Sequence, residues 1–249
     1  MENSEQSPEM LTKKQRQEIK REEKVNKQKE EAQKKKLSAA ILWSVITLFV
    51  VGTIVLMIAL ASKKSGPQFV GGTVKAPDTS DWTKGSPLAE AKVVLTEYSD
   101  FQCPACSLYF PLIKKVSEEF KNLTVVYRHF PLPQHKNARP AAQAAEAAGK
   151  QGKFWEMHDM LFENQKAWSE SNKAEEIFIS YAEKLGLDIQ KYKQDFDSSE
   201  TKAKLTADYQ SGVSEINGTP TLFINNQKIE NPRNYEELKN IIQQAGGTI

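Results

Sequence analysis

Phe101-Gln102-Cys103-Pro104-Ala105-Cys106 joins a strand-like run, Ala91–Tyr98, to a helix-like run that follows it. Cys103 and Cys106 are the only cysteines in the chain, and they stand three apart. A cysteine at a helix N-terminus faces the positive end of the helix dipole and backbone N–H groups without partners. Both favour thiolate over thiol, and thiolate is the reactive form. A second cysteine one turn along can close a disulfide with the first. The placement therefore points to a redox dithiol. No structural disulfide can form beside it, so the fold must be held by its apolar core.

C-x-x-C has other readings. Haem attachment needs histidine directly after the second cysteine, and Ser107 stands there. A zinc site needs two further ligands. His129 and His135 have an H-x5-H spacing at the outer limit for zinc fingers, but the gap from Cys106 to His129 is too long for one. No metal is expected.

Working outward, Ala91–Tyr98 reads as a buried strand around Val93, Val94 and Leu95. Leu123–Arg128 and Thr221–Ile224 read as two more, the last followed by Asn225-Asn226 as a tight turn. Helical patterns fill the space between them: Ala141–Gly149, Phe154–Asn164, Ala174–Leu185 and Glu200–Val213. Tyr235–Gln244 closes the chain as an amphipathic helix with Leu238, Ile241 and Ile242 on one side. The expected class is α/β, a split sheet with a helical block inserted at about residues 137–213. Residues 62–87 hold Gly-Pro, Gly-Gly and Pro-Asp pairs and read as a linker with at most a short hairpin. The folded domain is then expected over 88–249.

Charge is unevenly spread. Residues 1–36 carry 11 Lys/Arg against 8 Glu, whereas residues 65–249 carry 21 Lys/Arg against 24 Asp/Glu. The body lacks the basic face of a nucleic-acid binder. The tail, 1–36, reads as a solvated helix or as disorder, with docking of its lysines on anionic lipid as the sharper alternative. Residues 37–61 contain no charge and would span roughly 37 Å as a helix, against a hydrocarbon core of about 30 Å. Ala59-Leu60-Ala61 resembles a signal-peptide cleavage site, but the apolar run and the charged preamble are both too long for one. A membrane anchor is expected. Lys34, Lys35 and Lys36 outweigh Lys63 and Lys64, which places the N-terminus in the cytoplasm and the body outside. Disulfides persist in such a compartment.

Two further features bear on the dithiol. Glu97 lies six residues before Cys103, and strand alternation puts it on the face of Val93 and Leu95. It is either a strand-end acid that reaches water or a buried proton acceptor whose pKa is raised by desolvation. Pro220, in Gly218-Thr219-Pro220-Thr221, must stand at a strand start or in a turn. A cis bond before it would leave the Thr219 backbone free to pair with an extended peptide. Local sequence leaves cis and trans open.

Glu97, the Cys103–Cys106 motif and Gly218-Thr219-Pro220-Thr221-Leu222-Phe223-Ile224-Asn225 together resemble the DsbA-like branch of the thioredoxin superfamily. Residues 141–162 are similar to that branch's helical domain, and the likeness covers about 86–246. It implies a thioredoxin fold, with Cys103 as exposed nucleophile and Cys106 as its buried partner. It further implies Glu97 as the buried acid, Pro220 as the cis-proline, and a substrate site at Thr219, Pro220, Pro104 and Ala105. DsbA has histidine where this chain has Ala105, so one donor near the thiolate is missing.

The expected function is disulfide formation in reduced secreted or cell-surface proteins by an anchored monomer. An integral-membrane, quinone-linked partner would reoxidise it, and no organic cofactor is implied. The alternatives are a reductase, for instance in cytochrome maturation, and a non-catalytic chaperone that holds peptides.

Overall fold

The computed structural model describes residues 13–61 and 69–249. They form two compact units, Met1–Lys64 and Ser65–Ile249. In the first unit one helix, α1, runs over Lys13–Ala61. Residues 13–36 of the basic tail and the apolar run are thus one helix, within which Ile19–Met57 is long and apolar enough to cross a membrane. Large apolar side chains such as Trp43, Leu48 and Phe49 are exposed along it. Residues 1–12 and 62–68 lie outside the described residues.

The second unit is built on six strands. They are β1 (Phe69–Thr73), β2 (Trp82–Gly85), β3 (Val93–Ser99), β4 (Leu123–His129), β5 (Thr221–Ile224) and β6 (Gln227–Ile229), in the order β1-β6-β5-β3-β4-β2. Only β3 and β4 pair in parallel. A parallel pair needs a crossover, and α2 (Pro104–Glu119) supplies it directly after the cysteines. The β5–β6 turn is Asn225-Asn226, with φ of 49° and 68°, the left-handed pair that a two-residue hairpin requires.

Between β4 and β5 lie α3 (Ala138–Gly149), α4 (Phe154–Glu163), α5 (Gln165–Trp168), α6 (Ala174–Lys184), α7 (Ile189–Asp197) and α8 (Ser199–Gly212). They form the inserted block, and α9 (Tyr235–Gln244) closes the chain. Asp188 and Ser198 accept hydrogen bonds from Lys191 N and Thr201 N, capping α7 and α8. The helix α7 lies outside the sequence reading, because Tyr192 is its single buried side chain.

Two cores result. Val93, Leu95 and Val125 meet Ile113 and Val116 of α2 and Leu238 and Ile242 of α9. Each of these aliphatic side chains contributes about 1.5–3 kcal/mol by burial. The second core lies under the insert, where the alanine face of α3 packs against Tyr127, Phe154, Met157 and Phe178.

The linker expected over 62–87 is corrected here. Phe69–Thr73 and Trp82–Gly85 are the two edge strands of the sheet, so the folded unit reaches back well before residue 88. Trp82 stacks on Phe154 at 4.3 Å and donates to Glu146, and Asp81 pairs with Arg128 at 2.9 Å with both side chains buried. Gly85 (φ 98°) ends β2, where a Cβ would meet Leu123 O at 2.4 Å. The turn formers therefore mark strand ends, and the partners that make this segment a strand lie far along the chain.

Candidate active site

The strand β3 delivers the chain to the dithiol, and a tight loop converts strand into helix. Asp100 organises that loop. It is buried, its carboxylate accepts from Gln102 N at 2.7 Å and Leu132 N at 2.8 Å, and it pairs with His135 Nδ1 at 2.7 Å. Its carbonyl accepts from Cys103 N at 3.0 Å. The insert holds the loop from the other side. Gln165 Nε2 donates to Phe101 O and Cys103 O at 2.7 and 2.9 Å, and Asn137 N donates to Gln102 Oε1 at 2.7 Å. The inserted block thus grips the residues that precede and include the first cysteine.

Cys103 is the N-cap of α2 and Pro104 begins the helix, where a missing N–H is harmless. Both cysteines are free thiols. Their surroundings differ. Cys103 keeps 7% of its surface and Cys106 none. The open nucleophile implied by the resemblance is thus largely covered. Thr219 is one cause, since Cys103 Sγ donates to Thr219 O at 3.3 Å. Pro104, next in the chain, is exposed, as is Leu108 further along α2, and Ala105 is half-buried.

Electrostatics push the two sulfurs apart. The Cys103 thiol is lowered to about 5, chiefly by a hydrogen bond from Cys106, then by Thr219 and the backbone N–H groups of Cys106 and Ala105. Desolvation opposes this. Burial raises Cys106 well above the usual thiol range, and its bond to Cys103 and the nearby Glu97 add to the rise. Such a pair suits exchange: the outer sulfur is a thiolate near neutral pH, and the inner one stays protonated until it is needed.

Glu97 is 3% exposed, and desolvation raises its carboxyl to about 7. The solvated strand-end reading therefore fails. Tyr127 of β4 is its register partner, and Leu222 of β5 flanks it on the other side. Its outward face borders a narrow cleft lined also by Lys84, Lys114, Trp155, His158 and Asp159. The Thr219–Pro220 bond is cis, and Asn231 Nδ2 donates to Pro220 O at 2.7 Å. Cys103, Cys106, Thr219 and Pro220 thus meet at one place, with Glu97 behind them.

The histidines considered as zinc ligands have other partners. His129 Nε2 meets Glu146 Oε1 at 2.8 Å, and His135 meets Asp100. Among the described residues no group of three or more His, Cys, Asp or Glu side chains could hold a metal ion. Sequence reasoning missed Asp100, Gln102 and Gln165, and considered His135 only as a zinc ligand. Asp100 and Gln102, just before an N-cap, carry a local turn signal. Gln165 carries none.

A family model described as thioredoxin matches residues 81–244, and the chain belongs to that family. Its fold is that of the DsbA-like thiol–disulfide oxidoreductases. A thioredoxin-like oxidoreductase from Silicibacter pomeroyi DSS-3 is similar at 25% identity and a TM-score of 0.58, over 68% of this chain and 94% of that one. Pseudomonas aeruginosa DsbA2 is similar at 25% identity and a TM-score of 0.54, over 68% and 95%. BdbD from Bacillus subtilis, 23% identical, shares the fold with a TM-score of 0.61 over 72% of this chain and all of that one. Among curated proteins, one called Na(+)/H(+) antiporter NhaA 1 of Salinispora arenicola is 37% identical over 158 residues. That stretch is 63% of this chain and 24% of the relative, so the chain spans about a quarter of the length of the curated relatives it matches.

Proposed function

We propose that this chain is a membrane-anchored, extracytoplasmic thiol–disulfide oxidoreductase that forms disulfides in reduced secreted or cell-surface proteins. The observation that carries the reading is the divergence of the two sulfurs, with Cys103 lowered to about 5 and Cys106 raised. A thiol of low pKa is a good leaving group, and a stabilised thiolate favours the reduced enzyme, which makes the disulfide form an oxidant.

In the forward reaction a substrate thiolate attacks Cys103 Sγ in the Cys103–Cys106 disulfide. The S–S bond breaks, Cys106 leaves as thiolate and takes a proton from Glu97, and a mixed disulfide stands on Cys103. A second substrate thiolate attacks the substrate sulfur of that bond. The substrate disulfide forms, and Cys103 leaves as thiolate with the two electrons. Thr219, beside the Cys103 sulfur, and the exposed Pro104 and Leu108 offer an extended peptide one polar strand and an apolar rim.

The apolar helix and its lysine-rich N-terminal flank support an anchor with the body outside the cytoplasm. An integral-membrane, quinone-linked oxidase would restore the disulfide. The test is oxidative refolding of a reduced, disulfide-requiring protein beside insulin reduction. Catalysed refolding with weak insulin reduction is expected. Strong insulin reduction with no gain in refolding would make the chain a reductase.

A further inference from the structure

Four buried polar atoms behind the dithiol close no hydrogen bond: Glu97 Oε1, Ser99 Oγ, Tyr127 OH and His129 Nδ1. Strand alternation sets Glu97 and Ser99 on one face of β3. The parallel register places Tyr127 beside Glu97 and His129 beside Ser99. Buried polar groups without partners are rare and call for a role.

Ser99 differs from the other three in what it faces. Its hydroxyl lies near enough to Glu97, Cys106 and Tyr127 to lower the proton affinity of each, while closing a short bond to none. No hydrogen bond joins Glu97 directly to Cys106. Ser99 therefore borders both the sulfur that must gain or lose a proton and the carboxyl that can exchange it. A serine hydroxyl is donor and acceptor at once, so it can accept from Cys106 Sγ–H while donating to Glu97.

We propose that Ser99 relays the proton between Cys106 and Glu97 in the exchange reaction, a role that rests on the oxidoreductase reading above. In the closing direction Cys106 gives its proton to Ser99 Oγ as Ser99 gives its own to the Glu97 carboxylate. Cys106 thiolate then attacks Cys103 Sγ of the mixed disulfide. The Cys103–Cys106 bond forms, and the substrate leaves as thiolate. In the opening direction the same two protons move back. Other groups facing Glu97 are Cys103 from the start of α2, Tyr127 from β4, and, along the cleft, Lys84 of β2, Lys114 of α2, and His158 and Asp159 of α4. Among these groups Tyr127 alone carries a hydroxyl. Tyr127 is coupled to Cys106 through charge, whereas the Ser99 hydroxyl favours the Cys106 thiolate, with no hydrogen bond between them closed in this structure.

The test uses the reduced, detergent-solubilised full chain with oxidised glutathione, quenched by rapid alkylation and read by mass. Cys103 attack gives a glutathione mixed disulfide, and Cys106 attack then closes it. Ser99→Ala is expected to leave the first step within about twofold and slow closure at least about tenfold near neutral pH, so the mixed disulfide accumulates. Ser99→Thr, which keeps the hydroxyl, should restore closure. In a Glu97→Gln background Ser99→Ala should add nothing, because the relay has lost its terminus. Equal slowing of both steps, or a full additional loss in that background, would overturn the relay and leave the oxidoreductase reading standing. A wild-type chain that forms no mixed disulfide would overturn both. Should Ser99→Ala fail to fold, the wild type in mixed light and heavy water decides. A relay moves two protons and predicts a curved dependence of closure on deuterium fraction, and a linear dependence overturns it.

Discussion

Glu97→Gln tests the buried acid through stability as well as rate. The native carboxyl is raised from 4.5 to about 7, with desolvation as the main cause. It holds its proton more tightly than the unfolded carboxyl does. Native stability therefore falls as pH rises from about 4.5 to about 7, and the full cost is present above that window. At about 1.36 kcal/mol per pH unit, the cost is on the order of 3 kcal/mol. Glutamine keeps the size and cannot ionise. Relative to wild type, the reduced Glu97→Gln protein should gain little at pH 4. It should gain progressively through pH 5–7, and on the order of 3 kcal/mol by pH 8. Urea unfolding of the Ser65–Ile249 unit across this range measures the difference directly. The rate should move oppositely, with slower thiol–disulfide exchange near neutral pH. A stability difference that is the same at pH 4 and pH 8 would refute burial of a titrating carboxyl at this position.

Other expectations follow from the same geometry. Cys106→Ser should trap mixed disulfides with substrate and Cys103→Ser should not, since only Cys103 has exposed surface; equal trapping by both would contradict this. Alkylation of Cys103 should follow a thiolate titration centred near pH 5, fully reactive at pH 7 and lost as pH falls through 5, and a midpoint near 9 would contradict the lowered pKa. Asp81→Ala would strand the buried Arg128 guanidinium and should lower stability by about 3–5 kcal/mol. A loss below about 1 kcal/mol would show that the segment before residue 88 contributes little to the domain.

The parts of the fold carried by local pattern were legible in the sequence. The strands β3, β4 and β5 are short apolar runs bounded by breakers, and Asn225-Asn226 has the side chains a left-handed turn accepts. The edge strands were not legible. Trp82 becomes part of a strand because Tyr127 pairs with it and Glu146 accepts its indole N–H, contacts 45 and 64 residues away. The α7 helix escaped notice because one buried tyrosine makes no periodic pattern. At the site, strand alternation put Glu97 on the apolar face, but its burial depended on β4 and β5 closing over it. Ser99 carries no local sequence signal of its own. Its link to Cys106 runs across the loop between β3 and α2, which no local pattern encodes.

We propose that unequal stabilisation of the two sulfurs makes the Cys103–Cys106 disulfide an oxidant. The reduction potential of the purified protein against glutathione tests it most directly, and each 30 mV corresponds to about tenfold in the equilibrium. With Cys103 lowered to about 5, the potential should lie well above the thioredoxin value of about −270 mV, toward the DsbA value of about −120 mV. Ala105 supplies no side-chain donor to the thiolate and should keep it short of the latter. A potential at or below about −270 mV would contradict the claim and make the chain a reductant.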